Sequence, residues 1–145
     1  MSTVLNVADA VVAQLNTASL SQPVVAERLY VPNFDLQDMQ DMQDLRVTVV
    51  PRELHVRSLD RGRNNYEAEI DLAVQKKFKK GDAAEIDPLV AFVEEIADLF
   101  RLKRLASFPG ATWSRTDHQV LYSQEHWDQL RQFTSLLTLT FRVMR

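Results

Sequence analysis

His55, His118 and His126 are the side chains of this chain suited to act as a base or a nitrogen ligand near neutral pH. Asp117-His118 and Glu125-His126, with Asp128 just beyond, gather two imidazoles and three carboxylates in one stretch, a donor set of the type that holds catalytic zinc. The spacing argues against that chemistry. There is no His-Glu-x-x-His, and a predicted turn separates His118 from His126, so surface histidines are expected and no metal ligand is assigned. Asp38, Asp41 and Asp44 form a second carboxylate set, but one without the glycine and closing glutamate of an EF-hand loop. Glu67, Glu69 and Asp71 superficially resemble a nuclease cluster, yet their alternation is that of the wet face of a sheet. Cysteine is absent, which removes thiol nucleophiles, thiolate metal sites and disulfides. With three glycines, and no Gly-x-Ser-x-Gly, Walker loop or dinucleotide fingerprint, the expectation is no catalytic residue, no cofactor and no enzyme.

The elements around these residues show their periods plainly. Phe133, Leu137, Leu139, Phe141 and Val143 alternate with Thr134, Thr138, Thr140 and Arg142, a half-buried strand over 133–145 that places the C-terminus in a sheet. Tyr66, Ala68, Ile70, Leu72 and Val74 alternate with Glu67, Glu69, Asp71 and Gln75 in the same way. Residues 24–31, after Pro23, read as a strand near a sheet edge, and 46–57 as a strand bent or bulged at Pro51. The polar tip 59–65 joins that strand to 66–76 as a hairpin. Val4, Leu5, Ala8, Val11, Val12 and Leu15 recur at helical spacing, giving a helix over 4–16 capped by Ser2 or Thr3. A second helix, 88–105, takes Asp87 as its cap and Pro88 at its first position, and Phe108-Pro109-Gly110 ends the segment. Residues 112–122 read as extended, and 123–132 as a polar crossover. The predicted fold is α+β, a mainly antiparallel four- to five-stranded sheet with two helices packed on one face.

A chain of 145 residues fits a single domain, 1–145, and 46% hydrophobic with 26% charged residues is ordinary globular composition. A net charge of −3 disfavours specific nucleic-acid binding. Lys76, Lys77, Lys79 and Lys80 form the one basic cluster, best read as lysines guarding an exposed edge. The N-terminus lacks a basic region, and Asn6, Asp9 and Gln14 interrupt any apolar core, so no signal peptide is expected, and no run reaches the length of a membrane span. The duplicated Gln-Asp-Met of 37–42 reads as a local lengthening of an acidic link. The link 35–44 and the tip 59–65 are long, charged and poorly suited to a core. Arg61 and Arg63 are therefore expected to face Asp38, Asp41 or Asp44 of a neighbouring subunit.

Several segments carry a family likeness: Ala8-Asp9-Ala10-Val11-Val12, Ala26 to Pro32, Leu45 to Pro51, Tyr66 to Lys77, Val93 to Asp98, and Phe133 to Arg142. Together they resemble the tail-terminator, or tail-completion, proteins of tailed bacteriophages over nearly the whole chain. The repeated Gln-Asp-Met departs from the pattern expected there. The resemblance implies a structural virion protein, a homohexameric ring at the head-proximal end of the tail, that stops tube polymerisation and joins the tail to the head. Its implied partners are further copies of itself, the tail tube protein and the head-tail connector or neck protein, with DNA passing through the lumen and no membrane. The implied location is the virion tail, and the host cytoplasm during assembly. A neck or head-completion protein is the alternative. A small metal-dependent hydrolase or nuclease using His118 and His126, and a monomeric adaptor, are readings from other classes.

Overall fold

The computed structural model describes residues 2–30 and 45–145. Helix α1 spans Thr3–Thr17, and the Ser2 hydroxyl accepts a hydrogen bond from the Leu5 N–H at 3.3 Å, so Ser2 is the cap. Val7, Ala8, Val11 and Leu15, one stripe at helical spacing, are fully buried. Asn16 ties the end of this helix to strand β1 (Val24–Arg28), its side chain bonding both the N–H (2.9 Å) and the C=O (3.0 Å) of Ala26.

Strands β2 (Leu45–Ser58) and β3 (Asn64–Lys77) form the long hairpin, with a register shift between Pro51 and Glu53 where the proline cannot donate to the ladder. Helix α2 runs Ala83–Phe100, starting five residues earlier than a cap at Asp87 would give and ending five residues earlier than expected. Asp82 is the cap, its carboxylate accepting from the Glu85 N–H at 3.1 Å, and the Glu85 carboxylate turns back to the Lys79 N–H at 2.6 Å. Pro88 lies inside the helix, where its missing N–H leaves the Ala84 carbonyl without its helical bond. The helix stops at Arg101, whose backbone is extended (φ −60°, ψ 129°), and Leu102 follows in a left-handed conformation (φ 58°), leaving Lys103 and Arg104 outside it.

Strand β4 (Arg104–Leu105) folds onto β5 (Phe108–Val120), so Phe108-Pro109-Gly110 begins a strand where the sequence suggested a terminator. The expected polar crossover contains helix α3 (Gln124–Leu130), capped by the Ser123 hydroxyl and ended by Arg131 in the left-handed region. Strand β6 (Gln132–Met144) follows.

The sheet order is β1-β2-β3-β6-β5-β4. Five of the six strands follow antiparallel pairings, while β1 lies parallel to β2. The fold is therefore α+β as expected, but with six strands in a mixed sheet and three helices among the described residues. Ala68 faces Phe141, Ile70 faces Leu139 and Leu72 faces Leu137 across the β3–β6 ladder, and all six side chains are fully buried. The α1 stripe and Leu89, Phe92, Val93, Ile96 and Phe100 of α2 join them in one core, which puts both long helices on the predicted face. Phe100 meets Phe141 edge to face, ring centroids 6.0 Å apart at 83°. Helix α3 is pinned at the far end of the sheet by Trp127 against Phe78 (4.6 Å). Gly81 makes that contact possible: its φ is +71°, and a Cβ there would lie 3.0 Å from Phe78 and 3.2 Å from Trp127.

Candidate interaction surface

The face of the sheet opposite the helices carries the chemistry-bearing residues. Alternation puts Glu67, Glu69 and Asp71 of β3 there, with Glu53 and His55 of β2, Thr138, Thr140 and Arg142 of β6, and Arg115 and Asp117 of β5. The register decides who meets whom. The bulge at Pro51 makes Glu53 the direct cross-strand partner of Glu69, an arrangement that costs energy between like charges unless a cation offsets it. Arg115 supplies one, its guanidinium 3.5 Å from Glu69 and 3.1 Å from Asp117. His55 Nε2 lies between the two glutamates, 3.1 Å from Glu53 and 3.5 Å from Glu69. Arg52 stands 3.7 Å from Asp71 and 4.0 Å from Glu53, and Arg142 3.9 Å from Glu67. Asp71 also accepts a 2.6 Å hydrogen bond from the Thr138 hydroxyl, which in turn accepts from Gln119 at 2.7 Å. Hydrogen bonding with Glu69 first, and with His55 second, holds the Glu53 carboxyl below the usual carboxylate range.

Glu53, His55 and Glu69 are the one group among the described residues in which three potential metal donors lie within reach of a single ion, all within 4.8 Å. In this arrangement an entering cation would compete with Arg52 and Arg115 for the same carboxylates. The groove beside the cluster, lined by Leu54, His55, Val56, Arg57, Asn65 and Glu67, lies on this exposed surface and does not converge on a reactive group.

The residues that sequence spacing brought forward are placed differently. His118 is exposed on β5, whereas His126 sits on α3 with its Nδ1 2.9 Å from the Thr134 hydroxyl. Neither belongs to a three-donor group among the described residues, so the Asp117, His118, Glu125, His126 and Asp128 set is not assembled. His55 was recognised as a candidate, but its partners depend on a bulge whose cross-strand register the sequence does not state. In the hairpin tip, Asp60 accepts from the Gly62 N–H at 2.9 Å and pairs with Arg63 at 3.1 Å, and these contacts depress its carboxyl pKa. Arg63 is thus engaged within its own tip, and Arg61 is exposed beside it. Asp38, Asp41 and Asp44 lie outside the described residues.

Two edges of the sheet complete the surface. β1 covers β2 only along Leu45–Val49, and β4 reaches no farther along β5 than Thr112. No helix is long and apolar enough to cross a membrane, among the described residues. Neither a protein-family model nor a curated protein sequence matches the chain.

Proposed function

We propose that this chain is a structural protein of a tailed-bacteriophage virion, forming a ring at the head-proximal end of the tail tube, ending tube polymerisation and joining the tail to the head connector. The observation that supports an assembly role over catalysis is the charge-paired face: Glu67 meets Arg142, Glu69 meets Arg115 and His55, and Asp71 meets Arg52. A catalytic carboxylate is held poised in a cleft, and these are fixed in cross-strand pairs on an open sheet. A net charge of −3 suits a ring through which DNA slides without being gripped.

The reading is tested by sedimentation and native mass spectrometry of the purified chain, followed by tube assembly in its presence. The expected result is a closed homo-oligomer, with six copies as the first expectation, that shortens or caps tubes of tail tube protein. Metal-dependent hydrolysis by a monomer, lost in His118→Gln or in His55→Gln, would replace it with the enzyme reading.

A further inference from the structure

We infer that neighbouring copies join by continuing the sheet: the open edge of β2 (residues 53–58) in one copy pairs antiparallel with the open edge of β5 (residues 115–120) in the next. This rests on the ring reading above and adds the way its subunits are joined.

The β2 edge is built for such a contact. Beyond Val49 no strand lies on the outer side of β2 among the described residues. The direction of its backbone groups follows from the ladder. Asn64 and Arg145 exchange both of their N–H···O bonds, at 2.6 and 3.0 Å, so even-numbered β3 residues bond towards β6 and odd-numbered ones towards β2. Glu53, His55 and Arg57, the partners of Glu69, Glu67 and Asn65, therefore turn their N–H and C=O groups inward. Leu54, Val56 and Ser58 turn theirs outward. Leu54 and Val56 also expose their side chains, 39% and 55% accessible, with Leu59 beside them at 49%. Edges that stay unpaired are commonly blunted by lysine, proline or a bulge; Pro51 and its bulge lie just before this stretch, and 53–58 itself carries neither lysine nor proline.

The β5 edge offers its partner from the other side of the sheet along Arg115–His118, ahead of a register shift between His118 and Val120. The Trp113 N–H bonds the Lys103 carbonyl at 3.0 Å, and past that bond Arg115–Val120 has no outer strand among the described residues. Thr116 pairs with Leu139, an odd β6 position that bonds towards β3, so the Thr116 N–H points outward. Val120, Leu121 and Tyr122 at the end of this edge are exposed apolar residues.

A second copy is the occupant that satisfies both edges at once. Three antiparallel steps separate β2 from β5, so the two strands run in opposite directions. Across the ladder Val56 lies level with Ala111, so the two open stretches sit at opposite ends of the sheet, and a copy carried round by rotation about an axis inclined to the strands, as in a sheared barrel, brings its residues 115–120 beside 53–58 of the first copy with β5 antiparallel to β2. The contact is heterologous, and such contacts close into rings when the rotation permits. Each edge brings charges of both signs, Glu53 and Arg57 on one and Arg115 and Asp117 on the other, and no block of like charge opposes the pairing.

Val56→Pro and Thr116→Pro each delete an N–H that points away from the existing ladder, so each should leave the monomer folded. Native mass spectrometry should find a ring for the wild type and a folded monomer for either variant. An equimolar mixture should give a heterodimer that grows no further, because the Val56→Pro copy keeps an intact β5 edge and the Thr116→Pro copy an intact β2 edge. If the wild type forms a ring and both variants do too, the edge pairing is overturned and the ring reading stands. If the wild type is monomeric at high concentration and beside tail tube protein, the ring reading itself falls. Should a proline variant unfold, hydrogen exchange on the wild type decides. The amides of Leu54, Val56, Ser58 and Thr116 should slow by roughly tenfold or more between dilute monomer and ring, and equal rates would overturn the pairing.

Discussion

Truncating Phe141 to alanine tests how the helices are docked on the sheet. Phe141 is fully buried, its cross-strand neighbours are Ala68 and Trp113, and its ring meets Phe100 of α2 edge to face. Ala68 is too small to swing into the vacated volume. Core Phe→Ala changes cost about 3–5 kcal/mol, and the lost edge-to-face pair accounts for about 0.5–1.5 kcal/mol of such a value, so the upper half of the range is expected. That is a large share of the roughly 5–15 kcal/mol by which a domain is stable. At about 3–4 °C per kcal/mol for a chain of this length, the melting temperature should fall by about 12–20 °C. Urea unfolding followed by circular dichroism should show the midpoint falling at unchanged slope, which marks a change in stability and not in the denatured state. A cycle with Phe100→Ala should give a coupling of about 0.5–1.5 kcal/mol. A Phe141→Ala protein that melts like the wild type would mean that this side chain faces solvent, and the face assignment would be reversed.

Asp82→Ala should cost about 1 kcal/mol by uncapping α2, while Asp87→Ala should stay within about 0.5 kcal/mol; the opposite order would restore the later helix start. Because the Glu53 pKa is depressed in the folded state, its contribution to stability is present above the unfolded carboxylate pKa and is lost as pH falls through the lower folded value. The Glu53 carboxyl resonance should accordingly titrate below a free glutamate, and His55→Ala should move the midpoint part of the way back; a midpoint like that of a free glutamate contradicts the cluster. Since Asp60 holds Arg63, Arg61→Glu is the cleaner probe of the tip. Alone, Arg61→Glu or Asp41→Arg should weaken the ring, and the two together should restore part of it, with both effects shrinking at high salt. If neither single reversal changes assembly, the tip faces another virion protein.

The period-2 runs 66–74 and 133–143 gave the buried face of β3 and β6, because a sheet with one buried side imposes a strict alternation on its strands, whereas their direct pairing is set by the ladder. The parallel pairing of β1 was not legible: five residues without internal polarity state no direction, and the neighbour of a strand is a tertiary choice. The start of α2 was misplaced because Asp87-Pro88 satisfies the rule for a first turn, while Asp82 with Glu85 satisfies the competing one and adds a whole turn that buries Ile86. Helix α3 has seven residues, too few for a stripe, and it is held by Trp127 packing on Phe78. The Glu53, His55 and Glu69 cluster was invisible for a related reason: Pro51 announces a bulge, but the residue then facing Glu69 is fixed only by the ladder.

The last strand in chain order occupies a central place. β6 lies between β3 and β5, joining Asn65 to Met144 on one side and Ala111 to Val143 on the other. The β2–β3 hairpin closes through a short tip, and β4 and β5 are also near neighbours in sequence, so both can form early. The two pieces cannot merge until β6 has been synthesised and inserted between them. Until then β3 and β5 each show a raw inner edge beside Ile70, Leu72 and Ala111, apolar side chains that are fully buried once the sheet is complete. Insertion of β6 should therefore limit the rate of folding, on the slow side for a domain of this size given its long-range pairings. Mutations along β6 should retard refolding more than they hasten unfolding. The hazard falls during synthesis, when many copies with waiting edges share one compartment.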